Sequence, residues 1–341
     1  MNWSLRPAHQ FETFSAKWDR INNAGPASPL LDSRFIAPLL EMFGSGQELL
    51  AFNGDPEQAH TVAILSPSNR RAVWSTFQPS QAPLGAWVTQ DGSAIKCHVS
   101  ELLRTLPGVP LVLGVTQQDP ALIPRPANQN RVETIDYIRT ARITVSGSFD
   151  EYWTRRGKNL RQNLRRQRNR LEKDGVVTRL DWITSPGDMA SAVADYGRIE
   201  SGGWKEAGGT AIHPQNAQGQ FYTNMLESFA RTAEALVIRY RYDDTIAAMD
   251  LCIVSRGALI ILKTTYDERF SKTSPAMLMR EEAFRRIFEE GLVQVIEFYG
   301  KVMDWHTRWT DEIRTMYHIN CYRWGILARL RSIGKLGRAE R

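Results

Sequence analysis

Residues Thr245–Glu290 read TIAAMDLCIVSRG, ALIILKTTYDERF, SKTSP and AMLMREEAFRRIFEE in succession. The first two pieces are apolar and rich in β-branched residues, and Ser255-Arg256-Gly257 between them suits a tight turn. They predict an antiparallel hairpin. The cluster Ser271–Pro275 then opens a helix with apolar positions at Met277, Phe284, Ile287 and Phe288. Ser274 suits the N-cap, and Pro275 the first helical position, where a missing N–H costs nothing. Two strands thus deliver a short loop to a helix N-terminus whose free amides attract phosphate, with the Lys272 charge beside them. The local pattern has two readings: a site for an anionic cofactor, or an ordinary capped helix after a hairpin.

The rest of the chain narrows the choice. With 341 residues, 42% hydrophobic and 23% charged, it is ordinary globular material, long enough for two structural halves with ample core. Cys97, Cys252 and Cys321 are odd in number and widely separated, which argues for reduced thiols in a cytoplasmic protein and against a disulfide framework or zinc ribbon. The N-terminus MNWSLRPAHQFETF does not read as a secretory leader. Apolar runs such as ALIIL fall far short of the ~20 residues that span a bilayer. The total charge is +6, but residues 155–174 alone hold nine basic against two acidic side chains, so one element is basic and the protein is not.

Along the first half, helices are expected at Gln10–Asn22, Phe35–Phe43 and Ala94–Leu106. Strands are expected at Glu48–Phe52, His60–Leu65, Ala72–Phe77, Val109–Val115 and Arg131–Val145. The second half opens with one long helix over Phe149–Asp174, its apolar stripe marked by Leu160, Leu164 and Leu171. A strand Val176–Thr184, helices from Ser185 toward Trp204 and over Gln218–Thr232, and a strand Ala235–Tyr242 lead to the hairpin. Strands at Val293–Tyr299 and His318–Trp324 and a basic C-terminal helix follow. The alternation makes an α+β chain with mixed sheets. No repeat is visible residue by residue.

Three stretches carry a family resemblance: ESGGWKEAGGTAIHP at 200–214 with QFY at 220–222, TTYDERFSKTSPAML at 264–278, and EFYGKVMDWHTRW at 297–309. Together they resemble the GNAT acyltransferase superfamily, and more narrowly its cellulose-biosynthesis-associated acetyltransferases, relatives of the Fem-type peptidyltransferases. The resemblance implies two GNAT-like units in tandem, 1–146 and 147–341, with acetyl-CoA or another acyl-CoA bound by the second. It also implies an amine acceptor, such as an amino sugar or an envelope or polysaccharide precursor.

Acyl transfer from CoA requires that the diphosphate be held, the thioester carbonyl polarised and the amine deprotonated. Lys272, Thr273, Ser274, Ala276, Met277 and Leu278 are the expected diphosphate contacts. Ala276 stands where the branch generally has glycine, a departure that either reshapes the loop or is a harmless small-residue swap. The edge of the Ile246–Val254 strand is expected to polarise the carbonyl, as the superfamily implies. Asp250, a carboxylate in an apolar strand, is either the general base or a solvent-facing residue, and Glu200 is the second candidate. Tyr266 would protonate the leaving thiolate, or simply ends a strand. Lys263 lines a cleft or snorkels out.

Trp204 and Lys205, in a glycine-rich loop, and Trp305-His306, where the branch typically has Tyr-Lys, are the expected acceptor side; a lone histidine is more often structural. No dinucleotide fingerprint, phosphate loop, His-Glu-x-x-His or nucleophile elbow occurs, and the scattered histidines and cysteines suggest no metal. The rival is a binding protein on a GNAT scaffold that has lost catalysis, docking the Arg-rich helix 155–173 on an anionic polymer or nucleic acid. That helix lacks interleaved aromatics, which argues against a single-strand stacking platform and makes nucleic acid the less expected partner.

Overall fold

The computed structural model describes residues 3–68, 72–92, 95–202 and 212–328. The elements of the first part are β1 (Trp3–Pro7), α1 (Phe11–Ala24), α2 (Ser33–Phe43), β2 (Leu49–Asn53), β3 (Thr61–Pro67), β4 (Val73–Thr76), β5 (Trp87–Thr89), α3 (Ile95–Thr105), β6 (Val112–Gln118) and β7 (Val132–Thr144). There follow α4 (Phe149–Thr154), α5 (Lys158–Lys173), β8 (Thr178–Ile183), α6 (Met189–Ser201), α7 (Ala217–Ala230), β9 (Ala235–Tyr242), β10 (Thr245–Ser255), β11 (Ala258–Tyr266), α8 (Pro275–Glu290), β12 (Val295–Phe298), α9 (Asp304–Thr307) and β13 (Ile313–Tyr322). They sort into two compact units, Met1–Arg139 with Arg314–Arg341, and Thr140–Ile313.

The first unit carries strands in the order β1-β2-β3-β4-β6-β13, with β5 also on β3. Every pair is antiparallel except β4 with β6, whose connection runs through α3. Val99, Leu102 and Leu103 of α3 close over Leu65, Leu113 and Val115 of the strands, so the helix buries the stripe that its 3.6-residue period predicts.

The second unit repeats the plan. Its order is β7-β12-β11-β10-β9-β8, antiparallel except where β11 runs parallel to β12 through α8. Four antiparallel strands, a crossover helix and a strand parallel to the fourth therefore occur in both units. This is an α+β arrangement in two units, each a mixed sheet flanked by helices.

The hairpin expected at Ser255–Gly257 is present. Ser255 pairs with Ala258, and Arg256 and Gly257 between them both have positive φ, +53° and +75°, as a type I′ turn requires. Helix α8 ends at Gly291 in the left-handed region, with the Leu292 N–H turned back to the Ile287 carbonyl. Its buried residues Leu278, Ala283, Phe284 and Ile287 pack with Phe298 and Trp309 in one core.

One expectation needs correction. The helix read over Phe149–Asp174 is two helices. α4 carries its own capping box, in which Ser148 and Glu151 satisfy each other's backbone N–H groups, and Gly157 leaves helical geometry to start α5 afresh. Between the compact units the chain crosses at Arg139/Thr140 and at Ile313/Arg314, and β13 pairs antiparallel with β6 in the first. The expected basic C-terminal helix lies mostly outside the described residues.

Candidate active site

Strand β10 is paired along both sides, to β9 and to β11. The open edge expected on Ile246–Val254 is therefore absent, and the open edge belongs to β11 instead. β11 meets β12 only at Ala258, Leu259 and Ile260, yet runs on to Tyr266. Among the described residues its outer side has no strand partner beyond Ile260, and the register slip after Leu251 leaves Leu262 as a bulge there. Backbone groups outside the ladder thus lie at the carboxyl ends of two parallel strands, where open α/β sheets place their ligands.

The loop leaving β11 is tightly built. Asp267 accepts the Arg269 N–H at 3.0 Å and pairs with the Arg269 guanidinium, which holds its carboxyl below the usual range. The Thr273 hydroxyl donates to the Phe270 carbonyl and receives a hydrogen bond from Tyr242 at 3.1 Å. Ser274 adopts φ 54°, ψ 53°, the left-handed region, and its side chain caps nothing. That corrects the capping role expected of it. Its carbonyl instead accepts from the Met277 and Leu278 N–H groups, at 3.0 and 3.2 Å. Two of the expected diphosphate amides are thereby spoken for inside the helix, leaving that of Ala276 in the first turn, with Lys272 exposed beside it.

Behind this loop lies a buried polar cluster. Asp250 on β10 faces Thr264 on β11, and both meet Arg280 from α8. Arg280 Nη2 donates to Asp250 Oδ1 at 3.2 Å and to Thr264 Oγ1 at 2.7 Å, and its guanidinium lies 4.3 Å from the centre of the Trp305 ring. Asp250 and Arg280 are only 1% and 2% exposed, so neither faces solvent. Burial raises the Asp250 carboxyl pKa, against the opposing pull of Arg280 and Thr264. Asp250 Oδ2, Arg280 Nε and the Tyr196 hydroxyl are buried without a hydrogen-bond partner among the described residues. Such groups cost about 1–3 kcal/mol each and gather where a protein works.

Alternation along β11 turns Lys263 to the opposite face, where Nζ sits 5.8 Å from the centre of the Tyr222 ring on α7. Glu200, also buried, accepts the Ile212 N–H at 2.8 Å. Tyr266 is exposed at the end of β11. Trp204 and Lys205 lie outside the described residues. Arg280, Thr264, Tyr196 and Tyr222 were not singled out from sequence. Only Arg280 carried a signal, since it stands in the apolar stripe of α8, four residues from Ala276 and Phe284.

His306 stacks on Trp305 with ring centres 3.5 Å apart, and its Nδ1 accepts the Met303 N–H at 2.9 Å. Burial, then the Arg280 charge, lowers its pKa to about 4. The lowered pKa leaves it less able to offer a positive charge to an anion near pH 7. Between pH 6.5 and 4 the unfolded chain takes up a proton that folded His306 refuses, so its contribution is present above pH 6.5 and lost as pH falls. Urea midpoints at pH 7 and pH 5 should therefore drop further in the native protein than in His306→Gln. Equal drops would remove His306 from this role.

Residues 158–307 match the family model described as acetyltransferase (GNAT) domain. Among solved structures, the chain is similar to the C-terminal domain of a putative lysylphosphatidylglycerol synthetase from Agrobacterium fabrum, at 11% identity and TM-score 0.53, over 91% of this chain and 95% of that one. It is similar to a conserved protein of unknown function from Bacteroides thetaiotaomicron, at 12% and 0.52, over 94% and 99%. FemX gives 8% and 0.52, over 86% and 92%. At these identities the likeness is one of fold. No curated protein matches the sequence.

Proposed function

We propose that the chain is an acyl-CoA-dependent N-acyltransferase, with acetyl-CoA as donor. The observation that carries this reading is the coincidence of the unpaired β11 edge with the turn into α8, inside the stretch matched by the GNAT domain. The Ala276 amide and Lys272 would hold the donor diphosphate, with Thr273 and Ser274 shaping the turn and Met277 and Leu278 fixing it to the helix. A backbone N–H of β11 near the Leu262 bulge would polarise the thioester carbonyl. The acceptor amine attacks the carbonyl carbon, its proton passes to Asp250 Oδ2, and the C–S bond breaks as Tyr266 protonates the departing thiolate. Direct attack fits the cysteines: burial raises the thiols of Cys252 and Cys321, so neither is poised as a thiolate nucleophile.

The acceptor is assigned to amino sugars or other envelope or polysaccharide precursors on the strength of the cellulose-associated resemblance. Trp204, Lys205 and Trp305 are assigned to its side of the site. Use of acyl-CoA places the reaction in the cytoplasm, and no helix among the described residues is long and apolar enough to cross a membrane.

Calorimetric titration with acetyl-CoA tests the reading. Binding is expected, weakened roughly tenfold by Lys272→Ala, the worth of one charge-assisted contact. No heat from a folded protein would favour a binding protein that has lost catalysis.

A further inference from the structure

Among the described residues, the sheet of the second unit ends in a strand with no partner on its outer side. Strand β8 pairs with β9 alone, from Thr178 opposite Tyr242 to Ile183 opposite Val237. No residue of β8 is buried, whereas β9, β10 and β12 are mostly buried, and Val177 just before it is 68% exposed. The Asp243 N–H bonds the Val177 carbonyl at 2.8 Å, so the backbone groups of Val177 face β9. By alternation those of Arg179, Asp181 and Ile183 face β9 too, and those of Thr178, Leu180 and Trp182 face the open side. The outward groups have no hydrogen-bond partner among the described residues.

Such an edge is a template for another strand, and proteins ordinarily blunt it with proline, a bulge or a cover. Strand β1, at the edge of the first unit, ends on Pro7. Strand β8 has neither a proline nor a register shift. It has a pattern instead: residues 177–183 read V-T-R-L-D-W-I. Laid antiparallel on a copy of itself about Leu180, this stretch sets Val177 against Ile183, Thr178 against Trp182 and Arg179 against Asp181. These are apolar, β-branched–aromatic and opposite-charge pairs, each favourable across a ladder.

The same axis suits the backbone. Leu180 meets Leu180, and Thr178 meets Trp182, so the outward groups of the two copies face one another as hydrogen-bonded pairs. Arg179 and Asp181 fall at the non-hydrogen-bonded positions between them, where opposed side chains approach most closely. Moving the axis to Arg179 or to Asp181 sets like charges opposite each other, and an axis between residues sets outward groups against inward ones. One register therefore satisfies both charge and backbone. Asp181 is held in place by Arg239 and Arg241, each at 3.0 Å, while the exposed Arg179 leans on it at 2.9 Å and is the side chain that can reach across.

We infer that the chain forms a two-fold dimer through β8, its occupant being the β8 of a second copy, so that the second-unit sheets of the two copies join edge to edge. Neither the acyl donor nor the acceptor enters this inference, and it stands or falls apart from the acyl-CoA reading. One strand per copy makes a small interface, so the dimer is expected to dissociate on dilution.

Sedimentation velocity of the full chain between about 1 and 100 μM tests it. The native protein is expected to pass from monomer toward dimer across that range. Arg179→Asp, an exposed substitution, sets carboxylate against carboxylate at both charged pairs and should weaken association at least about tenfold. Leu180→Pro removes the central outward N–H, which β9 does not use, and should do the same, with a native circular dichroism spectrum showing that the fold is kept. A native protein still monomeric at about 100 μM would overturn the inference. So would a dimer that both variants leave intact, since it would rest on another surface.

Discussion

Replacing Arg280 with methionine is expected to lower the unfolding free energy by about 3–5 kcal/mol, the cost of stranding a buried carboxylate. Asp250 is 1% exposed, and Arg280 is the one cation among the described residues that pairs with it. Methionine keeps most of the arginine's volume and its contact with the Trp305 ring, so the loss reports charge and not a cavity. The double variant Asp250→Leu/Arg280→Met removes both charges and should recover most of the loss, because two buried ions gain little over well-packed apolar side chains. Urea unfolding of the two single variants and the double closes the cycle. A single-variant cost within about 0.5 kcal/mol, the range of ordinary surface substitutions, would mean that the Asp250 carboxylate is not sealed from water.

This pair also shows how far the sequence could be read. Asp250 was visible because a carboxylate interrupts an apolar run. Its partner was not, although Arg280 occupies a position where the helical period calls for an apolar residue, four before Phe284 and seven before Ile287. An arginine at such a place reads as a solvent-facing residue unless the stripe is traced through it. Thr264 and Tyr196 left no mark, since both residue types are ordinary in strands and helices.

The alternation of elements gave the α+β plan and the hairpin, whose register is set by a two-residue turn, while the two-unit plan also needed the family resemblance. Strand order is not local information: nothing within Ile246–Val254 tells whether it lies inside the sheet or at an edge, so the open edge was placed one strand away from where it is. Ser274 failed for a related reason. Serine before proline is an N-cap signature, but the left-handed backbone that turns its carbonyl onto Met277 and Leu278 is imposed by the preceding 3₁₀ turn, Glu268–Thr273. The same loop still ends at the helix, with the Ala276 amide in its first turn and Lys272 exposed beside it.

Substituting Asp250 by asparagine separates a base from a counter-ion. Asparagine keeps an oxygen for Arg280 but has no carboxylate to receive the amine's proton. If Asp250 Oδ2 is the base, kcat should fall by roughly 10²–10⁴, and the acid limb of the kcat/KM profile should vanish. The sign follows from burial: the folded pKa is raised, so the base is lost as pH falls through a value above the ordinary 3.8, and activity disappears on the acid side. Glu200→Gln should cost less, since Glu200 already spends an oxygen on the Ile212 amide and glutamine preserves that bond. A residue that merely holds Arg280 in place would behave differently. Its loss would change KM or thermal stability while the pH profile kept its shape, because the titrating group would be elsewhere. An acid limb retained in Asp250→Asn and lost in Glu200→Gln would move the base to α6 and leave the Asp250–Arg280 pair as the scaffold beneath it.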